Sequence, residues 1–141
     1  MDVDVPVARP HVHATAAALI LLDTNAVIWL HRGDPRASAL NRQATRLYAS
    51  PANLLELQFL VEAGRLRLRR GVSIAQLAHD DRWVLDDPPS AAWFEKAVDV
   101  GWTRDPFDRL LVAHARLRKW RLATGDRDLI AELAVNERVE L

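Results

Sequence analysis

The chain has 141 residues, of which 50% are hydrophobic and 27% charged, as is typical of one globular domain. Its 19 basic and 19 acidic residues cancel, so net charge gives no argument for nucleic-acid binding. The absence of cysteine excludes disulfides and thiolate zinc sites, and it suits a reducing, cytoplasmic compartment. The longest apolar run, Ala14–Leu22, is too short to span a membrane, and it lacks the basic flank of a signal peptide.

The chain begins with a segment in which we predict no secondary structure. Residues 1–18 contain two prolines and no sustained hydrophobic period, so we expect an N-terminal tail followed by one domain over residues 19–141. The apolar run Leu19–Leu22 is predicted to be a buried strand. Asp23 separates this strand from a helix that is predicted to run from Thr24 to Leu30.

The rest of the chain alternates strand and helix patterns. In chain order we predict a strand at 46–50, a helix from Pro51 to residue 60 or 62, a strand-like edge segment at 65–70, a short helix after Ser73, a strand at 83–85, a helix at 91–98, an amphipathic helix from Pro106, a strand at 121–124, a helix at 128–134 and a last strand at 138–141. This alternation predicts an α/β fold with a central parallel sheet and helices on both faces.

Acidic residues beside the predicted strands and helices carry most of the functional information. Asp23 and Asp126 each follow an apolar strand, and ligands bind at the carboxyl edge of the sheet in open α/β folds. Asp108 lies in the first turn of a predicted helix, and Glu56 lies within another. Carboxylates that converge repel one another unless a divalent cation lies between them, so this pattern predicts a Mg²⁺ or Mn²⁺ site.

These acidic residues also have purely structural explanations. Asp23 and Asp126 are at positions where aspartate commonly caps a helix, and Glu56 by itself is equally typical of an exposed helix face. Asp105 precedes a proline and is well placed to cap the helix that follows. We therefore assign Asp108 to the metal and leave Asp105 as either a cap or an adjoining metal ligand.

Four segments together resemble the PIN-domain nucleases, and in particular their VapC toxin branch: LLDTNAVIWL, SPANLLEL, RDPFDRLLVAHA and LATGD. The resemblance implies a three-layer α/β/α fold and an acidic pocket that holds Mg²⁺ or Mn²⁺. Carried over by motif, the pocket consists of Asp23, Glu56, Asp108 and Asp126, with Asp105 adjoining. The resemblance also implies an RNA-cleaving enzyme, a VapB-like antitoxin partner and a homodimer. His114 stands where this branch often has glutamine, and we assign it no catalytic role.

Hydrolysis of a phosphodiester needs further groups around the pocket. A carboxylate-bound cation orients and deprotonates water, and Glu56 is expected to position that water or to act as a base. Thr24, Asn25 and Thr124 add polar groups at the strand ends, where hydroxyls hold metal-bound water. Basic residues must surround an acidic pocket for RNA to bind. The candidates are the arginines close in sequence to the acidic motifs, of which Arg109 directly follows Asp108 and is the best: Arg32, Arg42, Arg46, Arg104, Arg109 and Arg127. The arginines of residues 65–70 are a second candidate, although they are equally typical of a solvated edge.

Three other functions are compatible with parts of the sequence. A PIN-like module that binds RNA or a partner without cleavage is disfavoured by the complete acidic set. A DNA-directed nuclease would use the same pocket, so the pocket does not exclude it. A phosphoacceptor receiver domain needs a lysine after a late strand, whereas Lys119 precedes the strand and Lys96 lies in a helix.

Overall fold

The computed structural model describes residues 18–42 and 45–141, so the expected tail up to residue 17 lies outside the described residues. The strands are β1 (Ala18–Leu22), β2 (Thr45–Ala49), β3 (Val84–Leu85), β4 (Arg121–Thr124) and β5 (Arg138–Glu140). The α-helices are α1 (Thr24–Arg32), α2 (Pro51–Glu62), α3 (Ile74–Ala78), α4 (Ser90–Val98), α5 (Pro106–Arg118) and α6 (Arg127–Glu132). Within these ranges, none of the helices combines the length and apolarity that crossing a membrane requires.

The strands form one sheet in the order β3-β2-β1-β4-β5, and every pairing is parallel. β1 is central, with Ile20 opposite Leu47 of β2 and Leu22 opposite Ala123 of β4. Because the chain moves to one side of β1 for β2 and to the other for β4, the carboxyl end of β1 is a topological switch point, where such sheets bind ligands.

Successive residues of β1 pack into two separate cores. Ile20 and Leu22 belong to a cluster with Val27 of α1, whereas Leu21 belongs to a second cluster with Val112 of α5. Since neighbouring side chains of a strand point to opposite faces, helices cover both sides of the sheet. The predicted three-layer α/β/α fold with a central parallel sheet is confirmed.

Two helices begin with the cap and proline pattern that the sequence predicts. The Ser50 hydroxyl accepts a hydrogen bond from the amide of Ala52 (3.1 Å), and Pro51 opens α2. Asp105 accepts hydrogen bonds from the amides of Phe107 (2.8 Å) and Asp108 (3.2 Å) at the start of α5. These side chains satisfy first-turn amides that have no partner within the helix, and they therefore fix where each helix begins.

The prediction of a strand-like edge segment at residues 65–70 is wrong. This stretch connects α2 to α3 and pairs with no strand of the described sheet. The hydrophobic alternation comes instead from packing, since Leu66 is buried in the core and Leu68 packs against it. Gly64 and Gly71 bracket the segment with φ of 72° and 82°, a left-handed conformation that glycine adopts readily.

Candidate active site

A cavity of about 600 Å³, open to solvent, lies at the carboxyl end of β1. We call it the acidic cavity, because five acidic side chains from different parts of the chain line it: Asp23, Glu56, Asp105, Asp108 and Asp126. Asp23 follows β1, Asp126 follows β4, Glu56 lies in α2, and the other two lie at the start of α5. The structure thus brings together every acidic residue that the sequence analysis selected.

Asp23 is fixed by the sheet and by the helix that follows it. Its amide donates to the carbonyl of Ala123 (3.1 Å), which continues the pairing of β1 with β4. Its carboxylate accepts a hydrogen bond from the amide of Ala26 (2.7 Å) and so caps α1. Burial raises the pKa of Asp23 to about 6, and the charge of Glu56 adds to this, while a hydrogen bond from Thr124 opposes it. Asp23 is therefore both a cap and a wall of the cavity.

Glu56 is held by a chain of buried polar groups. The hydroxyl of Thr24 donates to the Glu56 carboxylate (2.5 Å). The side-chain amide of Asn53 donates to that same hydroxyl (3.1 Å) and to the carbonyl of Leu22 (3.2 Å). Burial raises the pKa of Glu56, and the charge of Asp105 raises it as well, while the hydrogen bond from Thr24 lowers it. The Thr24 hydroxyl therefore uses its single proton on Glu56, and it retains one acceptor lone pair.

Asn53 is a buried polar residue, linked to Glu56 through the Thr24 hydroxyl, that the sequence analysis did not select. It is 1% exposed, and its carbonyl oxygen also accepts from the amide of Ser50 (2.7 Å). The available signal was its position one helical turn before Glu56 in the segment SPANLLEL, where a polar residue lies among leucines.

The four other acids of the cavity all act on Asp108. Burial and then the charge of Asp105 raise its pKa to about 7, and Glu56, Asp126 and Asp23 contribute in the same direction. Asp126 caps α6, because its carboxylate accepts from the amides of Asp128 (2.8 Å) and Leu129 (3.3 Å). The carboxylates of the cavity therefore lie close enough to disfavour one another's ionised forms.

The donor set of the acidic cavity suits a hard divalent cation. Carboxylate oxygens, without thiolate or imidazole, are the ligands that Mg²⁺ and Mn²⁺ prefer, and a cation would relieve the repulsion among the acids. Within residues 18–42 and 45–141, however, no three acidic or histidine side chains are already close enough to hold one metal ion. Because most of these carboxylates accept hydrogen bonds from helix amides or a hydroxyl, metal binding requires the side chains to move towards the cation.

Arg65, the first residue of the candidate basic segment 65–70, lines the acidic cavity. Its charge acts on Glu56 and lowers the pKa of that carboxyl, partly offsetting burial. Arg65 directly follows Gly64, just beyond the end of the helix that carries Glu56.

Two of the predicted arginines lie near the acidic cavity. Arg127 lines a neighbouring depression that shares Asn25 and Asp126 with the cavity. Arg104 is exposed and directly precedes Asp105 in the chain. That either arginine binds RNA stays a prediction.

Two more of the predicted arginines, Arg109 and Arg46, do not line the acidic cavity. The Arg109 guanidinium donates to the carbonyl of Thr103 (2.8 Å) and lines a separate apolar depression with Val98. It follows Asp108 in sequence, but successive side chains of a helix point about 100° apart. Arg46 lies near the start of β2 and lines a third depression with Asp81, whereas the cavity lies at the carboxyl edge of the sheet.

A second polar cluster joins α2, α5 and the end of β3. Both His114 and Ser50 are 0% exposed, and Nδ1 of the imidazole lies 2.9 Å from the Ser50 hydroxyl. Nε2 lies 2.7 Å from the carboxylate of Asp86, which also accepts from Arg118 (2.8 Å). Since an ionised carboxylate accepts only, Nε2 carries the proton and Nδ1 accepts from the hydroxyl. Burial lowers the pKa of His114, so the imidazole is neutral.

The chain is similar to known proteins in sequence and in fold. It matches the sequence model of the PIN domain over residues 20–136. It is 34% identical over 116 residues to Ribonuclease VapC22 of Mycobacterium tuberculosis. The aligned region covers 78% of this chain and 88% of that protein. A toxin–antitoxin complex from Klebsiella pneumoniae contains a chain of similar fold, with a TM-score of 0.60 and 19% identity over 86% of this chain and 99% of that one. A chain of VapBC2 from Rickettsia felis, bound to a DNA fragment from its promoter, has a TM-score of 0.58 and 18% sequence identity. The match covers 86% of this chain and 97% of that one.

Proposed function

Because the chain belongs to the PIN-domain family, we propose that it is a Mg²⁺- or Mn²⁺-dependent endoribonuclease and the toxin of a toxin–antitoxin pair. The observation that carries this proposal is the convergence of Asp23, Glu56, Asp108 and Asp126 on one cavity at the switch point of the sheet. The name of the relative Ribonuclease VapC22 supports RNA as the substrate.

In this proposal the acidic side chains divide the work of hydrolysis. Asp23, Asp108 and Asp126 would hold the cation, which would supply an activated water and neutralise charge on the phosphate. Glu56 receives the proton of the attacking water, and its raised pKa brings it closer to the range in which a general base is effective. Asn53 orients Glu56 through the Thr24 hydroxyl, and it does so without contacting the substrate.

We further propose that a protein antitoxin is the partner of this chain and that two copies form a homodimer. A structure of similar fold is a toxin–antitoxin complex, which supports a partner of that kind. An antitoxin segment that carries a basic side chain would be attracted to the acidic cavity and would block the entry of both cation and RNA.

The test compares cleavage of total RNA by purified variants. We expect the unmodified chain to cleave with Mg²⁺ or Mn²⁺ and to be inactive with a chelator. Asp23→Asn should lower the rate by at least about 100-fold, since it removes a charged ligand without changing side-chain size. Asp128→Asn is the matched control, because Asp128 is exposed and does not line the cavity. Equal cleavage by Asp23→Asn and the control would refute the proposal.

The alternative is a module that binds RNA without cleaving it. The spacing of the acids favours it, because no three of the described acidic or histidine side chains are already arranged to hold a metal ion. This alternative predicts RNA binding but no cleavage at any concentration of Mg²⁺ or Mn²⁺. Single-stranded DNA of matching sequence in the same assay separates a DNA-directed nuclease from one that requires RNA.

A further inference from the structure

The connection between α2 and α3 presents a row of arginines beside the acidic cavity. We call residues 65–70 the arginine segment. The amides of Arg65 and Leu66 both donate to the carbonyl of Leu60 (2.8 and 3.1 Å), which ties the start of the segment to the end of α2. The leucines of the segment face the core, and its remaining side chains are exposed: Arg65, Arg67, Arg69 and Arg70. A packed connection therefore holds several guanidinium groups on one surface.

Arg32, at the end of α1, extends this basic surface. Its guanidinium donates to the carbonyl of Arg67 (3.4 Å), and its side chain is exposed. In the part of the chain that the structure describes, no carboxylate forms an ion pair with Arg32 or with an arginine of the segment. By contrast, Arg36 and Arg82 are each paired with an aspartate at 2.8 and 2.7 Å. The surface thus has positive charge that the described carboxylates do not neutralise.

His31 lies beside the same basic surface. It lines a depression together with Arg32, Arg67 and Arg69, and neither of its buried ring nitrogens has a hydrogen-bond partner. Its pKa is lowered first by burial and then by the charges of Arg82, Arg69 and Arg32, against an opposing effect of Asp80. The contribution of these arginines, as distinct from that of burial, is the one that would favour a bound anion.

The arginine segment begins at the wall of the acidic cavity. Arg65 lines that cavity, and its charge is felt by Glu56. A polyanion that places one phosphate in the cavity therefore reaches the segment with the phosphates that follow. We propose that the arginine segment, together with Arg32, binds the phosphate backbone of RNA on one side of the bond that is cut. This inference rests on the proposed function, since it places the substrate relative to the acidic cavity.

Continuity with the acidic cavity favours the RNA backbone as the occupant, because the polyanion that the proposed function places in the cavity would extend along the segment. Guanidinium groups form bidentate hydrogen bonds with phosphate oxygens. Every second residue from Arg65 to Arg69 is an exposed arginine, so several guanidinium groups are available to successive phosphates. Contacts to phosphates carry no sequence information directly, and we expect binding here to be independent of sequence.

The experiment measures RNA binding without cleavage. All proteins carry Asp108→Asn, and the probe is a short fluorescein-labelled single-stranded RNA whose anisotropy is followed over a range of salt concentrations. The test variant is Arg67→Gln with Arg69→Gln and Arg70→Gln. The control removes three exposed cations elsewhere, with Lys96→Gln, Lys119→Gln and Arg121→Gln. A third protein replaces the same three segment arginines with lysine.

We expect the test variant to bind RNA at least about 10-fold more weakly and to lose about 2 from the slope of log affinity against log salt, since each phosphate contact contributes about 0.7. The control should stay within about twofold of the parent, and the lysine variant should keep most of the slope. Equal weakening by the test variant and the control would overturn the proposal, because net charge rather than position would then explain binding. A parent whose affinity does not depend on salt would overturn it as well.

The outcomes separate this inference from the proposed function. If the chain cleaves RNA with a divalent cation and Asp23→Asn abolishes cleavage, but the test variant binds like the parent, the inference fails and the nuclease stands. If cleavage is absent while the test variant loses affinity selectively, the backbone contact is supported and the nuclease fails. Thermal denaturation of each variant checks that the exposed substitutions leave the fold intact.

Discussion

Asp108 and Asp23 have pKa values of about 7 and about 6, although both start from 3.8. Burial is the largest cause at each position, and the neighbouring carboxylates add to it. At neutral pH and without a cation, ionising these side chains therefore opposes folding. The burial and the crowding of carboxylates that would favour a bound cation therefore make the ionised forms of Asp108 and Asp23 unfavourable when no cation is bound.

Asp108→Asn should stabilise the metal-free protein while it lowers activity. The folded pKa of Asp108 exceeds the unfolded value, so its contribution to stability is fully present below about pH 4 and is lost as the pH rises through about 7. The variant should therefore melt a few degrees higher than the parent at about pH 8, with the difference disappearing towards about pH 4. Calorimetry with a chelator measures this.

The matched control for this prediction is Asp128→Asn, which removes an exposed carboxylate next to the cap of α6. It should show no difference that grows with pH. A constant difference between Asp108→Asn and the parent across the whole pH range would contradict the explanation, because a solely structural effect of the amide does not depend on pH.

At the scale of elements, the N-terminus of α2 connects the buried polar cluster to the acidic cavity. The Ser50 hydroxyl caps this helix and donates to His114, while Asn53 and Glu56 lie in the helix's first two turns. Asp86, at the end of β3, is the third acid that follows a strand. Although burial opposes it, hydrogen bonds from Arg118 and His114 hold the pKa of Asp86 below its usual value. Asp86 is thus neutralised within the fold instead of joining the cavity.

His114→Leu should destabilise the protein by about 2–4 kcal/mol, because it leaves buried Ser50 without an acceptor and removes a donor from Asp86. His114→Gln offers both a donor and an acceptor, so we expect it to lose less than half as much. Urea denaturation at neutral pH measures both values. An equal loss for the two variants would show that the size of the side chain, and not its hydrogen bonds, is what matters.

The sequence predicts these elements well where the cause is local. The pairs Ser50–Pro51 and Asp105–Pro106 determine where helices begin, because a cap and a fixed proline φ act within one turn. It fails at residues 65–70, because alternating burial shows which side chains face the core and not whether the backbone has a strand partner. Periodicity alone does not contain that information.

The candidate site shows the same limit. The acids are predictable because they follow strands or occupy helix starts, and parallel strands bring those positions to one edge. The roles of Asn53 and His114 are not predictable, since their partners lie 29, 28 and 64 residues away in the chain. Arg109 lines a different depression although it follows Asp108, because closeness along a helix does not mean a shared direction.

At the scale of the whole molecule, the acidic cavity is assembled from both halves of the chain around the central strand. Asp23 follows β1, which lies between β2 and β4 in the sheet. Glu56 comes from α2 in the first half of the chain, and Asp108 comes from α5 in the second half. Stability and cation binding are therefore coupled through the entire fold, because unfolding separates every ligand of the proposed site.

Mn²⁺ or Mg²⁺ should raise the melting temperature of the protein. A cation at 100 times its dissociation constant adds about 2.7 kcal/mol. The shift should be larger at about pH 8 than at about pH 5, since protonated carboxyls bind cations poorly. Thermal denaturation with and without the cation measures it, and the double variant Asp23→Asn with Asp108→Asn serves as control. A shift of the same size in the double variant would place the cation elsewhere.

The pairing of β1 with β4 joins residues that are synthesised far apart in time. Asp23 and its strand leave the ribosome about 100 residues before Asp126. At about 5–20 residues per second, the delay is about 5–20 s. Throughout that interval the nascent polypeptide lacks β4 and Asp126, so neither the central pairing of the sheet nor the acidic cavity is complete until most of the chain has been made.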